Sequence, residues 1–217
     1  REFTELGSGY RIAMRDLEIR GAGNLLGERQ SGHMEAVGYD LYCKMLNQAV
    51  MEAKGEKIQE DFETSVDIDI DAFIPSAYIK NEFQKLDMYK RIASIQNADE
   101  YGEMLDELID RFGELPKPAA NLLLVALIRA EAHAAGVVQL VHKEKETRIY
   151  MHERADVDVA AIPDFLAEYG RRIQFKATAK NPYFLVNMNG FKGQGLLLEE
   201  KSLVENMLRI LCHKELN

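Results

Sequence analysis

The chain has 217 residues, 47% of them hydrophobic, and a net charge of −9. That apolar share is ordinary for a globular protein with a core and excludes a disordered chain, and no apolar run reaches the roughly 20 residues of a membrane span. The two cysteines, Cys43 and Cys212, are too far apart in sequence to suggest a disulfide framework or a zinc ribbon. We therefore expect a reduced, cytoplasmic setting.

The charge is unevenly distributed along the chain. Residues 1–57 carry 8 Lys or Arg and 9 Asp or Glu, whereas residues 58–217 carry 19 and 27, which gives net charges of −1 and −8. The polar stretch GEKIQED at 55–61 is the best candidate for a linker, and we place a domain boundary between residues 57 and 58. Because an acidic body repels the phosphates of duplex DNA, the second part is expected to contact protein.

The first part, residues 1–57, is predicted to be helical. The chain opens inside a helix-like segment without an initiator Met, so we expect a piece of a longer protein. Residues 38–55 place apolar side chains at helical spacing until Gly55 ends the pattern. We predict two or three helices here, joined by a long glycine-rich loop.

A strand is predicted directly after the linker, in TSVDIDIDAF. Its alternate aspartates suggest a calcium loop, but Ala72 and Tyr78 stand where an EF-hand needs Gly and Glu. Alternation in a half-buried strand explains the run better. We predict apolar side chains that face a core and acids that face water: Val66, Ile68 and Ile70 against Asp67, Asp69 and Asp71.

Three helices are predicted next. The first spans about 77–95 and has one apolar face, made of Ile79, Phe83, Leu86, Tyr89 and Ala93. The second begins with a capping box of Asn97 and Glu100, and Gly113 ends it. The third begins near Pro118 and ends at Gly136. Because it is apolar on all sides at 122–128, we expect it at the centre of the domain.

The last third of the chain alternates hairpins with helices. We predict a hairpin at 137–152, a helix at 163–169, a second hairpin at 172–190 that turns at Asn181-Pro182, and a helix at 200–215. This order is typical of an α+β domain. The predicted fold is thus an N-terminal helical hairpin followed by an α+β domain with a small mixed or antiparallel sheet packed on several helices.

The sequence shows no recognisable catalytic or metal-binding set. Five histidines lack ligand spacing, and His142 and His152 are interpreted as a surface pair facing each other across the first hairpin. Glu199 and Glu200 are interpreted as the start of the last helix, where negative charge suits the helix dipole. We expect no catalytic residue, no metal and no cofactor in this chain.

The glycine-rich loop, IRGAGNLLGERQSG at 19–32, is the most unusual segment. Its glycine spacing is one residue too long for a dinucleotide fingerprint, and no Lys-Ser or Lys-Thr follows as in a phosphate loop. One interpretation is that Arg20 and Gly21 simply end a helix. The other is a hinged loop whose multi-donor groups, Arg20, Arg29 and Gln30, exchange partners between protein and nucleic-acid backbone.

The segment GYRIAMRDLEIRGAGNLLGERQSG resembles the TRG motif (translocation in RecG), which RecG shares with the transcription-repair coupling factors. The match spans residues 7–32 and is specific in its R-G-x-G-x-x-L-G-x-x-Q-S-G core. RecG ends soon after its motif, whereas about 160 residues follow here. MYKRIAS at 88–94 and ELIDRFGELPKPAANLL at 107–123 resemble the C-terminal module of the coupling factors.

The resemblance implies part of an ATP-driven translocase of double-stranded DNA that pushes stalled RNA polymerase and recruits UvrA. Residues 1–57 then comprise the end of the second motor lobe and the TRG helical hairpin and loop, and residues 58–217 form the C-terminal regulatory domain. The motif couples closure of the two motor lobes to a step along DNA. Its key arginine and glutamine correspond to Arg20 and Gln30, and Gly21, Gly23 and Arg29 belong to the same loop.

The resemblance also implies a role for the C-terminal module, which in this family packs on a UvrB-like N-terminal module and covers its UvrA-binding face. ATP and Mg²⁺ belong to the parent motor, and the expected location is the bacterial cytoplasm, at the nucleoid, with no membrane partner. The alternative interpretation of the whole chain is a free-standing, non-catalytic protein-interaction domain.

Overall fold

In a computed structural model, residues 62–177 and 181–214 are described. These residues form five strands: β1 Ser65–Ile68, β2 Val137–Lys143, β3 Glu146–Met151, β4 Ile173–Lys176 and β5 Tyr183–Asn187. They also form five helices: α1 Glu82–Ala93, α2 Ala98–Phe112, α3 Lys117–Ala134, α4 Ile162–Tyr169 and α5 Gln194–Leu211. The predicted α+β class is confirmed, whereas the N-terminal helical hairpin and the boundary at 57–58 lie outside the described residues.

The five strands make one mixed sheet in the order β1-β2-β3-β5-β4. β1 pairs with β2 in parallel, and every other pair is antiparallel. Because β2 pairs with β3 and β4 pairs with β5, the two predicted hairpins are confirmed, and β1 lies at an edge of the sheet. Strand β2 starts 73 residues after Thr64, and the Thr64 hydroxyl joins the two strands by donating to the Val137 carbonyl at 2.6 Å.

Alternation along β1 agrees with the prediction. Val66 is buried, and Ile68 and Ile70 are partly buried against the core. The three intervening aspartates, Asp67, Asp69 and Asp71, are exposed. The strand ends at Ile68, so Ile70 packs from the loop that follows it.

Helix α3 lies at the centre of the described residues, as its sequence predicts. It contacts β1, β2, α1, α2 and α5, and the whole stretch 122–128 is buried. The sheet packs its inner face against this helical side: Val66, Leu140, Ile149, Phe184 and Val186 are at most 1% exposed. A helix that is apolar all round can be buried on all sides, which fixes α3 between the sheet and the outer helices.

The predicted pairing of Asn97 with Glu100 at the start of α2 is confirmed, with the return bond from Gln96, one residue before the N-cap, instead of from Asn97. The Asn97 side chain accepts from the Glu100 N–H at 2.9 Å, and the Glu100 carboxylate accepts from the Gln96 N–H at 2.9 Å. At the other end, Gly113 takes a φ of 86° and its N–H donates to the Ile109 carbonyl. Side-chain bonds thus define the start of this helix, and a glycine with a backbone bond defines its end.

The turn from α3 into β2 requires glycine. Gly136 has a φ of 79°, and a Cβ there would lie 2.5 Å from the Ala155 Cβ. Its carbonyl accepts from the His152 N–H at 2.7 Å, which ties the turn to the end of β3. The position lacks room for a side chain and has a backbone conformation that L-residues disfavour.

Two predictions about the helices are wrong. Phe83, expected on the apolar face of α1, is 77% exposed, and the buried positions are Lys85, Met88, Tyr89 and Ile92. The last helix begins at Gln194 instead of near residue 200. In both cases the expected start of the helix was wrong by several residues. For α1, this error also changed which residues were assigned to the buried face.

Candidate functional site

The residues predicted to couple hydrolysis to translocation lie outside the described residues. They are Arg20, Gly21, Gly23, Arg29 and Gln30, and their role stays a prediction. The described part of the chain has two other features that bear on function, an acidic helix face and a set of buried carboxylates.

The exposed side of α2 is lined with acids, which we call the acidic face: Asp99, Glu103, Asp106 and Asp110, all exposed. Their spacing places them on one side of the helix, because residues three and four apart are neighbours on a helix surface. Ile109, 43% exposed, borders this row. Like charges this close raise the local negative potential, so the face is suited to a basic partner surface.

Glu107 fixes the acidic face to the helix before it. Arg91 of α1 donates to this carboxylate through both terminal nitrogens, one at 2.6 Å, and Arg111 donates to it at 2.5 Å. Hydrogen bonds from Arg91 and then Arg111 lower the pKa of Glu107 to about 2. The carboxylate is therefore ionised at neutral pH, and the fork-shaped Arg91 contact sets the orientation of α2 against α1.

A buried polar cluster joins the first hairpin to the last helix; it consists of His142 of β2, Thr147 of β3 and Glu200 of α5. The Thr147 hydroxyl donates to Glu200 Oε1 and lies 3.0 Å from His142 Nδ1. His142 Nδ1 is 3.6 Å from the same carboxylate oxygen, and Glu200 is fully buried. Burial raises the pKa of Glu200, and the hydrogen bonds of His142 and Thr147 oppose that rise.

This cluster corrects two predictions. His142 is opposite Thr147 in the strand register and is buried, so it does not form a surface pair with His152, which follows the end of β3. Glu200 is in the middle of α5 and points inward, so it does not mark a helix start. All three side chains are at most 8% exposed, and their hydrogen bonds make a polar cross-link within the fold.

A second buried carboxylate lies between α3 and α5. Glu131 is 8% exposed, and its Oε1 is 3.9 Å from Nζ of Lys201, which also binds Glu205. Glu131 Oε2 is buried with no hydrogen-bond partner. Burial raises the pKa of Glu131 to about 7, with Lys201 opposing the rise and Glu205 adding to it.

The described residues contain no group of three or more His, Cys, Asp or Glu placed to hold a metal ion. Within the same residues, no helix is both long enough and apolar enough to cross a membrane.

Comparisons with known proteins agree on one family. Residues 68–162 match the family model described as TRCF domain. The transcription-repair-coupling factor of Bacillus subtilis (strain 168) is 46% identical over 177 residues, which is 80% of this chain. The transcription-repair-coupling factor of Staphylococcus aureus (strain USA300) is 44% identical over 161 residues, or 73% of this chain.

A solved structure shares the fold. The crystal structure of the C-terminal domain of a transcription-repair coupling factor matches with a TM-score of 0.66, covers 73% of this chain and 100% of its own, and is 24% identical. The present chain spans 15% and 14% of the length of the two curated relatives. The chain therefore belongs to the transcription-repair coupling factor family, of which it contains the C-terminal domain.

Proposed function

We propose that this chain is the C-terminal part of an ATP-dependent translocase of double-stranded DNA that couples transcription to nucleotide excision repair in the bacterial cytoplasm, at the nucleoid. The observation that carries the proposal is the match of residues 68–162 to the TRCF domain, together with the TRG-like segment at 7–32. Its partners in this role are duplex DNA, RNA polymerase and UvrA.

In this proposal ATP and Mg²⁺ are bound by the parts of the two motor lobes that lie outside this chain, which contains only the end of the second lobe. The 217 residues contain no G-x-x-x-x-G-K-[ST] sequence, so they do not provide a phosphate loop of that type. The chain contributes to the motor through the loop at 19–32. There Arg20 and Gln30 make bonds that exist in only one motor state. Arg29 directly precedes Gln30 in the same glycine-hinged loop.

The coupling role is tested in the full-length translocase with Arg20→Ala and Gln30→Ala. We expect ATP hydrolysis to continue while displacement of a triplex strand slows at least about tenfold, because a lost bond of about 1.4 kcal/mol in one state changes a rate by that factor. Lys54→Ala, outside the motif, is the matched control. If both loop variants displace the triplex at the wild-type rate, Arg20 merely ends a helix.

The C-terminal domain acts in this proposal as a brake in cis, by packing on the UvrB-like module and covering the surface that binds UvrA. The acidic face of α2 supports this role because four exposed acids in one row suit a basic protein surface. A tethered domain needs only a weak contact, since the linker gives it a high effective concentration. A contact of about 1–3 kcal/mol shifts open and closed populations several-fold or more.

The brake is tested by deleting residues 58–217 from the full-length protein and by reversing charge on the acidic face with Glu103→Lys and Asp106→Lys. Both changes are expected to raise UvrA affinity and DNA-dependent ATP turnover, and the salt sensitivity of the brake should fall in the charge-reversed protein. Glu153→Lys with Asp156→Lys, on the exposed loop after β3, is the matched control. UvrA affinity equal to that of the intact protein after deletion would refute the brake.

A free-standing interaction domain is the alternative function. This alternative uses the same acidic face but requires no motor. The measurement of UvrA affinity distinguishes it from the brake. A domain that works only in trans would bind its partner equally well with or without the rest of the protein, whereas a brake in cis is lost on separation and restored only at high added concentration.

A further inference from the structure

The sheet has a second face, opposite the helices, which we call the outer face. Its side chains alternate with the buried ones, and the strand register aligns them in two rows across the sheet. One row contains Ser65, Gln139, Tyr150, Tyr183 and Lys176, and the other contains Asp67, Val141, Arg148, Leu185 and Gln174. The first row places two tyrosines side by side on β3 and β5.

The two tyrosines and Arg148 form a single contact group on the outer face. The ring centroids of Tyr150 and Tyr183 are 5.1 Å apart with an interplanar angle of 38°. The Arg148 guanidinium carbon is 5.9 Å from the centre of the Tyr183 ring. Both rings are partly exposed and Arg148 is exposed, so flat aromatic surface and positive charge are presented to solvent together.

Charge on the outer face differs from charge on the rest of the domain. Residues 58–217 carry a net charge of −8, yet the tyrosines have Arg148 beside them and Lys176 opposite Tyr183 on β4. Lys143 and Glu146 are opposite each other at the end of the hairpin and offset each other in charge. Asp67 adds a negative charge at the β1 edge of the face, two strands from Arg148. The part of the face on β3, β5 and β4 is thus basic and aromatic within an acidic domain.

We propose that the outer face binds an extended single-stranded nucleic acid, with bases stacked on Tyr150 and Tyr183 and phosphates near Arg148 and Lys176. An open sheet that presents aromatic rings on adjacent strands gives unpaired bases a stacking platform, and flanking cations follow the backbone. A duplex keeps its bases inside the helix and cannot stack in this way. The acidic remainder of the domain also disfavours the denser phosphate charge of a duplex.

A protein partner fits this face less well. Val141 and Leu185 are its only aliphatic side chains in the two rows, and both are partly buried already. A stable protein interface buries about 800 Å² per partner around an apolar centre, which two small aliphatic contacts do not supply. The proposal for the outer face is independent of the translocase function and of the acidic face of α2.

The test measures fluorescence anisotropy of fluorescein-labelled 12-nucleotide oligo(dT) and oligo(U) with the 217-residue chain at about 50 mM salt, beside a 12-base-pair duplex. We expect both single strands to bind at least about tenfold more tightly than the duplex. Tyr183→Leu and Arg148→Gln should each weaken binding at least about fivefold, and Arg148→Gln should also reduce the slope against salt. Tyr183→Phe keeps the ring and should bind as the wild type does.

The matched controls change the same residue types elsewhere: Tyr101→Leu on α2 and Arg171→Gln, an exposed arginine between α4 and β4. Both should bind as the wild type does, and circular dichroism melting confirms that each variant is folded. Single-strand binding that is undiminished in Tyr183→Leu and Arg148→Gln would place the site elsewhere in the chain and overturn the proposal. Equal binding of the duplex, or equal competition by poly-glutamate, would show recognition of charge without stacking and would overturn it as well.

Discussion

Glu131 and Glu200 are the buried carboxylates among the described residues, and each has one oxygen, Oε2, with no hydrogen-bond partner. The two differ in what holds the other oxygen. Glu200 accepts from a buried threonine hydroxyl, whereas Glu131 has a lysine at 3.9 Å that is shared with Glu205. Glu131 is therefore the less compensated of the two, and its ionisation opposes folding.

The pKa of Glu131 makes stability depend on pH in a defined direction. Its pKa is about 7 in the folded chain, raised from an ordinary value of 4.5, so the folded state binds the proton more tightly than the unfolded state does. The contribution of Glu131 to stability is greatest below pH 4.5, declines as the pH rises to 7 and is constant above that. The full change is about 3 kcal/mol, at about 1.4 kcal/mol per unit of pKa.

Glu131→Gln removes this dependence, because an amide has no proton to lose. We expect the variant to gain stability over the wild type between pH 5 and pH 8, measured by urea unfolding at a series of pH values. Glu153→Gln, at an exposed carboxylate, is the control and should follow the wild-type curve. Parallel curves for Glu131→Gln and the wild type would show that Glu131 is ionised in the folded chain without cost.

At the scale of the elements, the turn between α3 and β2 is the most restrictive junction described above. Gly136→Ala places a Cβ 2.5 Å from the Ala155 Cβ at a φ of 79°. Strain in the left-handed region and overpacking should together destabilise the domain by about 2–4 kcal/mol. Thermal melting and urea unfolding measure this loss.

Gly102 of α2 provides the opposite case for the same substitution. It is inside a helix, and a Cβ there would meet nothing within 4 Å. Gly102→Ala should therefore stabilise the domain by about 0.5–1 kcal/mol, because alanine favours the helix over the unfolded chain. Equal effects of the two substitutions would mean that neither φ nor space at Gly136 matters.

The sequence predicted those elements whose signals are local. The capping box of α2 and the apolar run of α3 need no knowledge of distant residues, and both are confirmed. The start of α5 was missed because Gly193 and Gly195 flank Gln194 and glycine lowers helix propensity. Helical spacing also could not place Phe83, because the expected start of α1 lay several residues too early.

The buried cluster of His142, Thr147 and Glu200 depends on pairing that a sequence does not contain. Thr147 and Glu200 are 53 positions apart, and adjacent Glu199 and Glu200 have the composition of a surface segment. The inward direction of Glu200 follows from the rotation of α5 on the sheet. For the coupling residues Arg20, Gly21, Gly23, Arg29 and Gln30, the resemblance of their segment supplies the prediction, and it stays a prediction.

For the molecule as a whole, residues 58–217 are predicted to fold without the first 57. A solved C-terminal domain matches over its whole length and covers 73% of this chain. We expect residues 58–217 alone to unfold cooperatively, with a Tm within a few degrees of the same domain in the 217-residue chain. An unfolded or aggregated fragment beside a folded longer chain would place the boundary elsewhere.

The position of β1 at the sheet edge has a consequence for synthesis on the ribosome. This strand leaves the exit tunnel before the rest of its domain, but its parallel partner β2 starts 73 residues after Thr64. At 5–20 residues per second, the nascent strand waits about 4–15 s for that partner. Its alternate aspartates keep the waiting segment charged, and like charges on neighbouring nascent chains oppose the edge-to-edge pairing that would trap it.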